Sequence, residues 1–386
     1  MSDAAILTKP KTLALPTTLI LIPLAAAVLG LLVRYAGYAS VLQDASLADF
    51  ADGLCRWDCQ WYVRIAEEGY DPFPVPSMVN AGNWAFFPLF PMLVGLLRLL
   101  TGLPTMLVAT ATSIAISVGA ARLAWPLLGR DLRAYAIFST FLLCGPFSIY
   151  FTTFYTEVLF LFLTVSVFAA LHRQNFLLAG VLAALLSATR IVGVFIFLAL
   201  LLEMWRVHRA AGGTLRTALP ELFRRADWLL ALAVAPLGLF AYMAYLHWLI
   251  GDALAFSHVQ RAWGRPMGNP AVFVWNALTK FPETGLVPTV PQQLALVTLT
   301  GYGLTAILAL KKRYAMALYC VVCLTLPLFA GMASMLRFVA GLAPLPLLLS
   351  ELLARHRWLT LAALIGSPIA GYFGTRGWLT GYLTLV

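Results

Sequence analysis

Charge is scarce in this chain: 11% of its 386 residues are charged, and only 16 are acidic. A soluble domain carries roughly a quarter charged residues. A surface this poor in charge needs lipid, or an equally apolar partner, to cover it. Alternating strands of about 10 residues, the mark of an outer-membrane barrel, are missing. Internal repeats, inverted-repeat symmetry and low-complexity tracts are missing as well. Cysteine is sparse, with five residues and no metal-ligand spacing. Cys320 and Cys323 form a CxxC, but inside an apolar run, where packing is the expected role. Cys55 and Cys59 lie in a polar segment. One helical turn is poor disulfide geometry, so this pair is expected to stay unbonded, with a bridge as the alternative.

Apolar residues make up 61% of the chain. Many runs reach about 18 residues, the length a helix needs to cross a bilayer. The class that fits is an all-α polytopic membrane protein, a single integral domain over residues 1–386. A net charge of +10 raises the question of nucleic acid. The basic residues, however, form short clusters between apolar spans and no single patch, which is the spacing of topology signals; no nucleic acid is expected.

About eleven spans are expected, near residues 14–36, 104–128, 133–148, 155–171, 176–189, 191–205, 228–250, 293–310, 314–332, 338–354 and 358–373. The first apolar run continues past Ala25-Ala26-Ala27, so it reads as an uncleaved span. A first external loop covers 37–103, with an amphipathic helix from Trp57 to Glu68 and an interfacial, proline-rich segment from Phe86 to Leu100. A basic cytoplasmic loop covers 206–227, with lipid-headgroup contacts as its expected role, and a second external loop covers 251–290. With the N-terminus inside, Lys9/Lys11, Arg130/Arg133, Arg173, Arg206 to Arg225, Lys311 to Arg313 and Arg355/Arg357 all fall on the cytoplasmic side. Treating Phe86–Leu100 as a full span would break that pattern. The C-terminus then lies outside.

Trp57, Trp61 and Ile65 recur every four residues, with Tyr62 beside them and Asp58, Gln60, Arg64, Glu67 and Glu68 largely elsewhere on the wheel. This is the pattern of an interfacial helix with aromatic anchors. Asp58 at its start reads as a helix cap, as a general base on an acceptor hydroxyl, or as both. Glu157, Arg190 and Arg337 are ionisable groups in apolar segments, where they are expensive and usually functional. The topology brings all three toward the face that carries Asp58. Two arginines there suit an anionic phosphate, because the planar guanidinium stays charged and binds in pairs of hydrogen bonds. The alternative is a structural pair of Glu157 with Arg190 or Arg337. In the second external loop, His258, Gln260, Arg261, Trp263 and Arg265 suit a lipid phosphate or a stacked sugar, or else form a solvated loop. Arg34, Arg98 and Arg122 read as snorkelling residues.

The order Arg56-Trp57-Asp58, Tyr62, Ile65-Ala66 and Gly69-Tyr70, then Phe86-Phe87-Pro88-Leu89-Phe90-Pro91, resembles GPI mannosyltransferase II, the phosphatidylinositol-glycan class V family, and its bacterial relatives. Gly145 to Phe151 through Tyr155-Thr156-Glu157 is similar to that family's proline–aromatic–Tyr-Ser-Glu stretch, with Thr156 in place of Ser. Ser187-Ala188-Thr189-Arg190-Ile191-Val192-Gly193, Gln260 with Trp263, and Ser334 with Arg337-Phe338 continue the match in order. The resemblance implies a GT-C glycosyltransferase in a bacterial cytoplasmic membrane, its site facing outward. Such an enzyme takes a sugar, here mannose, from a polyprenyl-phosphate carrier and gives it to a lipid, glycan or protein acceptor. Asp58 would be the catalytic residue, with Arg190 and Arg337 on the carrier phosphate. The monophosphate leaving group requires no metal in principle, and no cofactor is implied. The loops are more compact than the eukaryotic enzyme's, so a GPI precursor need not be the acceptor. The competing readings are a lipid-linked sugar flippase, which would show repeat symmetry and broken helices, and a non-catalytic assembly subunit, in which Asp58 is dispensable.

Overall fold

The computed structural model describes residues 17–75, 81–264, 267–279 and 289–381. Lys9, Lys11 and Arg265, and the side chain of Trp263, lie outside the described residues. Among the described residues the chain is helical, and one isolated bridge between Val75 and Ala81 is the extent of its strand pairing.

Each expected apolar segment falls on a helix or a helix pair. Thr18–Ala39, Thr105–Ala124, Ile191–Ala210, Ala226–Ile250 and Val290–Leu310 are long and apolar enough to cross a membrane. A sixth span is present if Met335–Gly341 and Pro344–Ala354 count as one, bent by 67°. Leu132–Cys144, Glu157–His172, Phe176–Ser187 and Tyr314–Leu328 are apolar but shorter, so length and composition alone do not confirm eleven spans. The bend breaks the single span expected near residues 338–354. Pro344 has no N–H to continue the preceding helix and sits at the start of the next one, where the missing donor costs nothing. Leu21, Leu32, Ile365 and Phe373 expose their side chains outward, as lipid-facing residues do. In the basic loop, Leu215–Arg224 forms an exposed helix that buries none of its residues and turns out Leu215, Leu219 and Phe223. This surface suits the headgroup region.

The centre is packed at small residues. A Cβ added at Gly30 would stand 1.8 Å from the Leu143 carbonyl oxygen, and one at Gly371 2.4 Å from that of Cys144. Helices Thr18–Ala39 and Arg357–Leu379 therefore meet the end of Leu132–Cys144 backbone to backbone, as spans packed on small residues do. Arg34 does not snorkel. It is 2% exposed and donates from Nη1 to the Leu143 carbonyl at 2.9 Å and to Ser148 Oγ at 3.1 Å. Its charge sits at a helix C-terminus, where the backbone dipole favours a cation.

The first loop is tied to this bundle. Asp71 is held by Arg64 at 2.7 Å, and Asp71 and Asn83 exchange backbone-to-side-chain hydrogen bonds of 3.0 Å. The amphipathic helix is shorter than expected, Cys59–Glu68, and its apolar face is buried in protein: Cys59, Trp61, Tyr62 and Ile65 are all covered. Trp61 and Tyr62 are thus core residues, and the expected lipid anchor reduces to Trp57, which lies outside the helix and is 42% exposed. Cys55 and Cys59 are bridged, against expectation. The objection assumed one continuous helix. Trp57 instead takes a left-handed backbone, φ 55°, just before the helix begins, and the two Cα atoms lie 5.3 Å apart.

Candidate active site

Asp58, Glu157, Arg190 and Arg337 each stand at the start of a helical segment. Asp58 precedes Cys59–Glu68, Glu157 opens Glu157–His172, Arg190 precedes the turn Ile191–Phe195, and Arg337 lies in the first turn of Met335–Gly341. A helix start carries unpaired N–H groups and a partial positive charge. Carboxylates are at home there; arginines are not, unless carboxylates hold them. Arg190 Nη1 donates to Glu157 Oε1 at 2.6 Å, and Arg337 Nη1 donates to Asp58 Oδ2 at 2.5 Å. Arg337 Nε lies 3.2 Å from the same Glu157 oxygen. Glu157 is therefore the hinge of the cluster, shared between both arginines and only 1% exposed.

This geometry changes the charge balance read from sequence. One glutamate cannot neutralise two arginines, but Glu157 and Asp58 together do. The structural pair and the chemical candidates are one network. The capping reading of Asp58 fails: the residue occupies the cap position, but its side chain makes no cap hydrogen bond and reaches Arg337 instead. Asp58 is also the accessible carboxylate. Its side chain is 31% exposed, and Oδ1 has no hydrogen-bond partner among the described residues.

Aromatic side chains wall the cluster. The Arg190 guanidinium lies 4.5 Å from the Phe338 ring centroid, and that of Arg337 5.7 Å from Tyr155. The Tyr155 hydroxyl donates to the Arg56 carbonyl at 2.8 Å, and the Tyr62 hydroxyl bonds Thr156 Oγ1 at 3.1 Å. Burial first, then the nearby Glu157 and Asp58 charges, push the Tyr62 phenol above its usual range despite the two arginines, so it keeps its proton. Trp378 stacks edge-on against Tyr155 at 5.5 Å and donates from its indole to the Leu54 carbonyl at 2.9 Å. Nothing in the sequence marks Trp378, one of several aromatics toward the end of the last helix. Tyr155 and Thr156 are marked by their place beside Glu157 and by the family's Tyr-Ser-Glu stretch.

The second-loop candidates stand apart. His258 pairs with Asp252, Nδ1 to Oδ2 at 2.7 Å, at a cavity of about 530 Å³ lined also by Phe73, Trp84 and Val259. No hydrogen bond or ion pair joins His258, Gln260 or Arg261 to the Asp58 cluster among the described residues. Hydrogen bonding from His258 holds the Asp252 carboxyl below its usual range. This contact favours the folded loop above the ordinary carboxylate range and is lost as pH falls through the depressed value. His258→Ala should raise the Asp252 titration toward the usual range, the Leu254 N–H still holding it down, as read by carboxyl ¹³C NMR.

No protein-family model matches the chain. Over 221 residues, 53% of its length, the chain is 30% identical to GPI alpha-1,6-mannosyltransferase 2 of Mus musculus, covering 42% of that protein. The enzymes of the same name from Cricetulus griseus and Rattus norvegicus match at 34% identity over 175 and 155 residues, 42% and 37% of this chain and 33% and 30% of theirs. The chain thus spans less than half the length of the curated relatives it matches. The resemblance drawn from the ordered motifs is borne out by these sequences. Among solved structures, an Archaeoglobus fulgidus oligosaccharyltransferase tethered with an acceptor peptide superposes with a TM-score of 0.49 at 15% identity, over 94% of this chain and 55% of the other. The archaeal oligosaccharyltransferase in complex with an inhibitory peptide and a dolichol-phosphate gives 0.44 at 14%, over 94% and 56%.

Proposed function

We propose that this integral membrane protein is a GT-C-type glycosyltransferase. It moves mannose from a polyprenyl-phosphate carrier to an acceptor hydroxyl on a lipid, glycan or protein, on the non-cytoplasmic face and with inversion. The observation that carries this reading is the Asp58 carboxylate: one oxygen is fixed by Arg337, while the other, on a partly exposed side chain, has no hydrogen-bond partner among the described residues. A base must be both positioned and reachable, and Asp58 meets both conditions where the more deeply buried Glu157 does not. The names of the curated relatives support mannose as the sugar.

In the proposed step, Asp58 Oδ1 takes the proton of the acceptor hydroxyl. The freed oxygen pair bonds to the anomeric carbon from the face opposite the phosphate. The bond from that carbon to the phosphate oxygen breaks, and its electron pair leaves with the lipid monophosphate. Arg190 and Arg337, 14% and 11% exposed, are the proposed partners of that phosphate, whose growing charge their guanidinium groups would meet. His258, Arg261 and Arg265, with Gln260 and Trp263, are proposed to guide the carrier at the second loop. The side of the membrane is supported by the Cys55–Cys59 bridge, a bond that persists in oxidising compartments.

The test is lipid-phosphate release from short-chain polyprenyl-phosphate mannose by the full chain in nanodiscs, with membrane lipid extract as acceptor source. Release by wild type and not by Asp58→Asn is expected. The bent span that carries Arg337 keeps carrier transport as a second reading, since transporters break helices around their sites. Carrier that crosses the bilayer with its sugar bond intact would favour transport over transfer.

A further inference from the structure

Asp58 sits inside a covalent ring. The Cys55–Cys59 bridge closes a loop whose other members are Arg56, Trp57 and Asp58. Each side of this ring is fastened to the bundle. On one side, the Leu54 carbonyl accepts from Trp378 Nε1 at 2.9 Å; on the other, Cys59 opens the helix Cys59–Glu68 on its buried face and is 0% exposed. Between them, the Arg56 carbonyl accepts from the Tyr155 hydroxyl at 2.8 Å. Trp57 holds a left-handed backbone at φ 55°. A bulky non-glycine residue adopts that conformation only when its surroundings impose it.

We infer that the Cys55–Cys59 bridge is the positioning device of Asp58: it imposes the turn that aims the carboxylate at Arg337 instead of at its own helix start. An aspartate before a helix ordinarily caps it, accepting from the N–H groups of the first turn. Here that ordinary geometry is refused. The bridge is the covalent constraint that spans the residues concerned, so opening it should free Asp58 to fall back into the cap. The inference rests on the glycosyltransferase reading only for its effect on turnover; the conformational claim stands on the ring itself.

The bridge is also reachable. Cys55 lines a cavity of about 700 Å³ together with Asp52, Glu67, Arg98 and Met106, while Cys59 is buried. A thiol or phosphine therefore meets Cys55 Sγ first. In the thiol reaction, an incoming thiolate bonds to Cys55 Sγ, the bridge electron pair leaves on Cys59, and a second thiol resolves the mixed disulfide. The two external thiols are oxidised to a disulfide and the two cysteines are reduced. Nucleophile access and leaving-group stability govern such exchange.

The experiment uses the full chain in nanodiscs, untreated, reduced with a phosphine, and reduced then reoxidised. Maleimide mass shift counts the thiols. Hydrogen exchange follows the peptide over 54–62, and carrier-phosphate release gives kcat and KM. Reduction should add two reactive thiols and speed exchange in that peptide alone. It should lower kcat on the order of 10²-fold, the cost of a misplaced catalytic group, with KM for the carrier within roughly twofold. Reoxidation should restore all three readouts, which a merely unfolded protein would not do. Two new thiols with unchanged exchange would overturn the positioning role, whatever the turnover. Faster exchange in a wild-type chain that never releases carrier phosphate would uphold the positioning role and sink the transferase reading instead. Faster exchange with undiminished turnover would remove the bridge from the catalytic geometry.

Discussion

The Asp58→Asn variant should insert, fold and bind the carrier as the wild type does, and lose sugar transfer by about 10²- to 10⁴-fold, the usual contribution of a general base. Asparagine matches aspartate in shape and keeps a carbonyl oxygen where Arg337 Nη1 now donates to Asp58 Oδ2. Arg337 keeps its second carboxylate, Glu157, 3.2 Å from Nε. Arg337, 11% exposed, loses the nearer of its two carboxylates, so some stability is lost with the charge. What the variant cannot do is accept a proton. The discriminating result is a fall in kcat far larger than the accompanying fall in thermal midpoint accounts for, with carrier affinity nearly unchanged. If Asp58 served only to hold Arg337, activity and stability would fall together, and full transfer by the variant would remove Asp58 from the base role. Asp58→Glu separates the cases further. It restores a proton acceptor at the wrong reach and should recover part of the rate.

What the sequence made legible was set by spacing along the chain. Every expected apolar segment lies on a helix because run length and basic clusters report directly on the solvent each residue meets. Glu157, Arg190 and Arg337 stand out because charge in an apolar stretch is costly wherever it sits, and Asp58 by its place at the start of an amphipathic helix. Their partnership was less legible. Arg337 and Asp58 are 279 residues apart in sequence, and no local pattern says which carboxylate takes which arginine. The same limit hid Trp378, which touches the site only because the last helix packs beside the first loop. The errors were local ones. A four-residue spacing argues against a bridge only within a continuous helical turn, and Trp57 turns the chain before Cys59. The signal for the bend is Ala343-Pro344-Leu345-Pro346, set inside an apolar run long enough to read as one span. Arg34 was misjudged because its partners are backbone and hydroxyl oxygens of a distant helix end, which composition does not reveal.

Glu157→Gln should have the largest effect on stability in the chain. Glu157 is 1% exposed and its Oε1 is shared by Arg190 at 2.6 Å and Arg337 at 3.2 Å. Glutamine keeps the shape but removes the charge, leaving two arginines at helix starts with Asp58 alone to balance them. Breaking a buried pair in this way costs about 3–5 kcal/mol, because the abandoned charge stays buried. The helix starts add to the penalty, since their partial positive charge opposes a cation. The expected outcome is a markedly lower unfolding midpoint in detergent and loss of transfer, measured on the same preparation. A second substitution, Arg190→Gln on the Glu157→Gln background, removes the stranded charge and should recover a large part of the stability. That recovery is a coupling energy between the two sites, readable from the four-member cycle. It should come without recovery of transfer if Arg190 also meets the carrier phosphate. Additive losses in the cycle would show that Glu157 and Arg190 act separately, and the cluster would then be two neighbouring contacts and not one network.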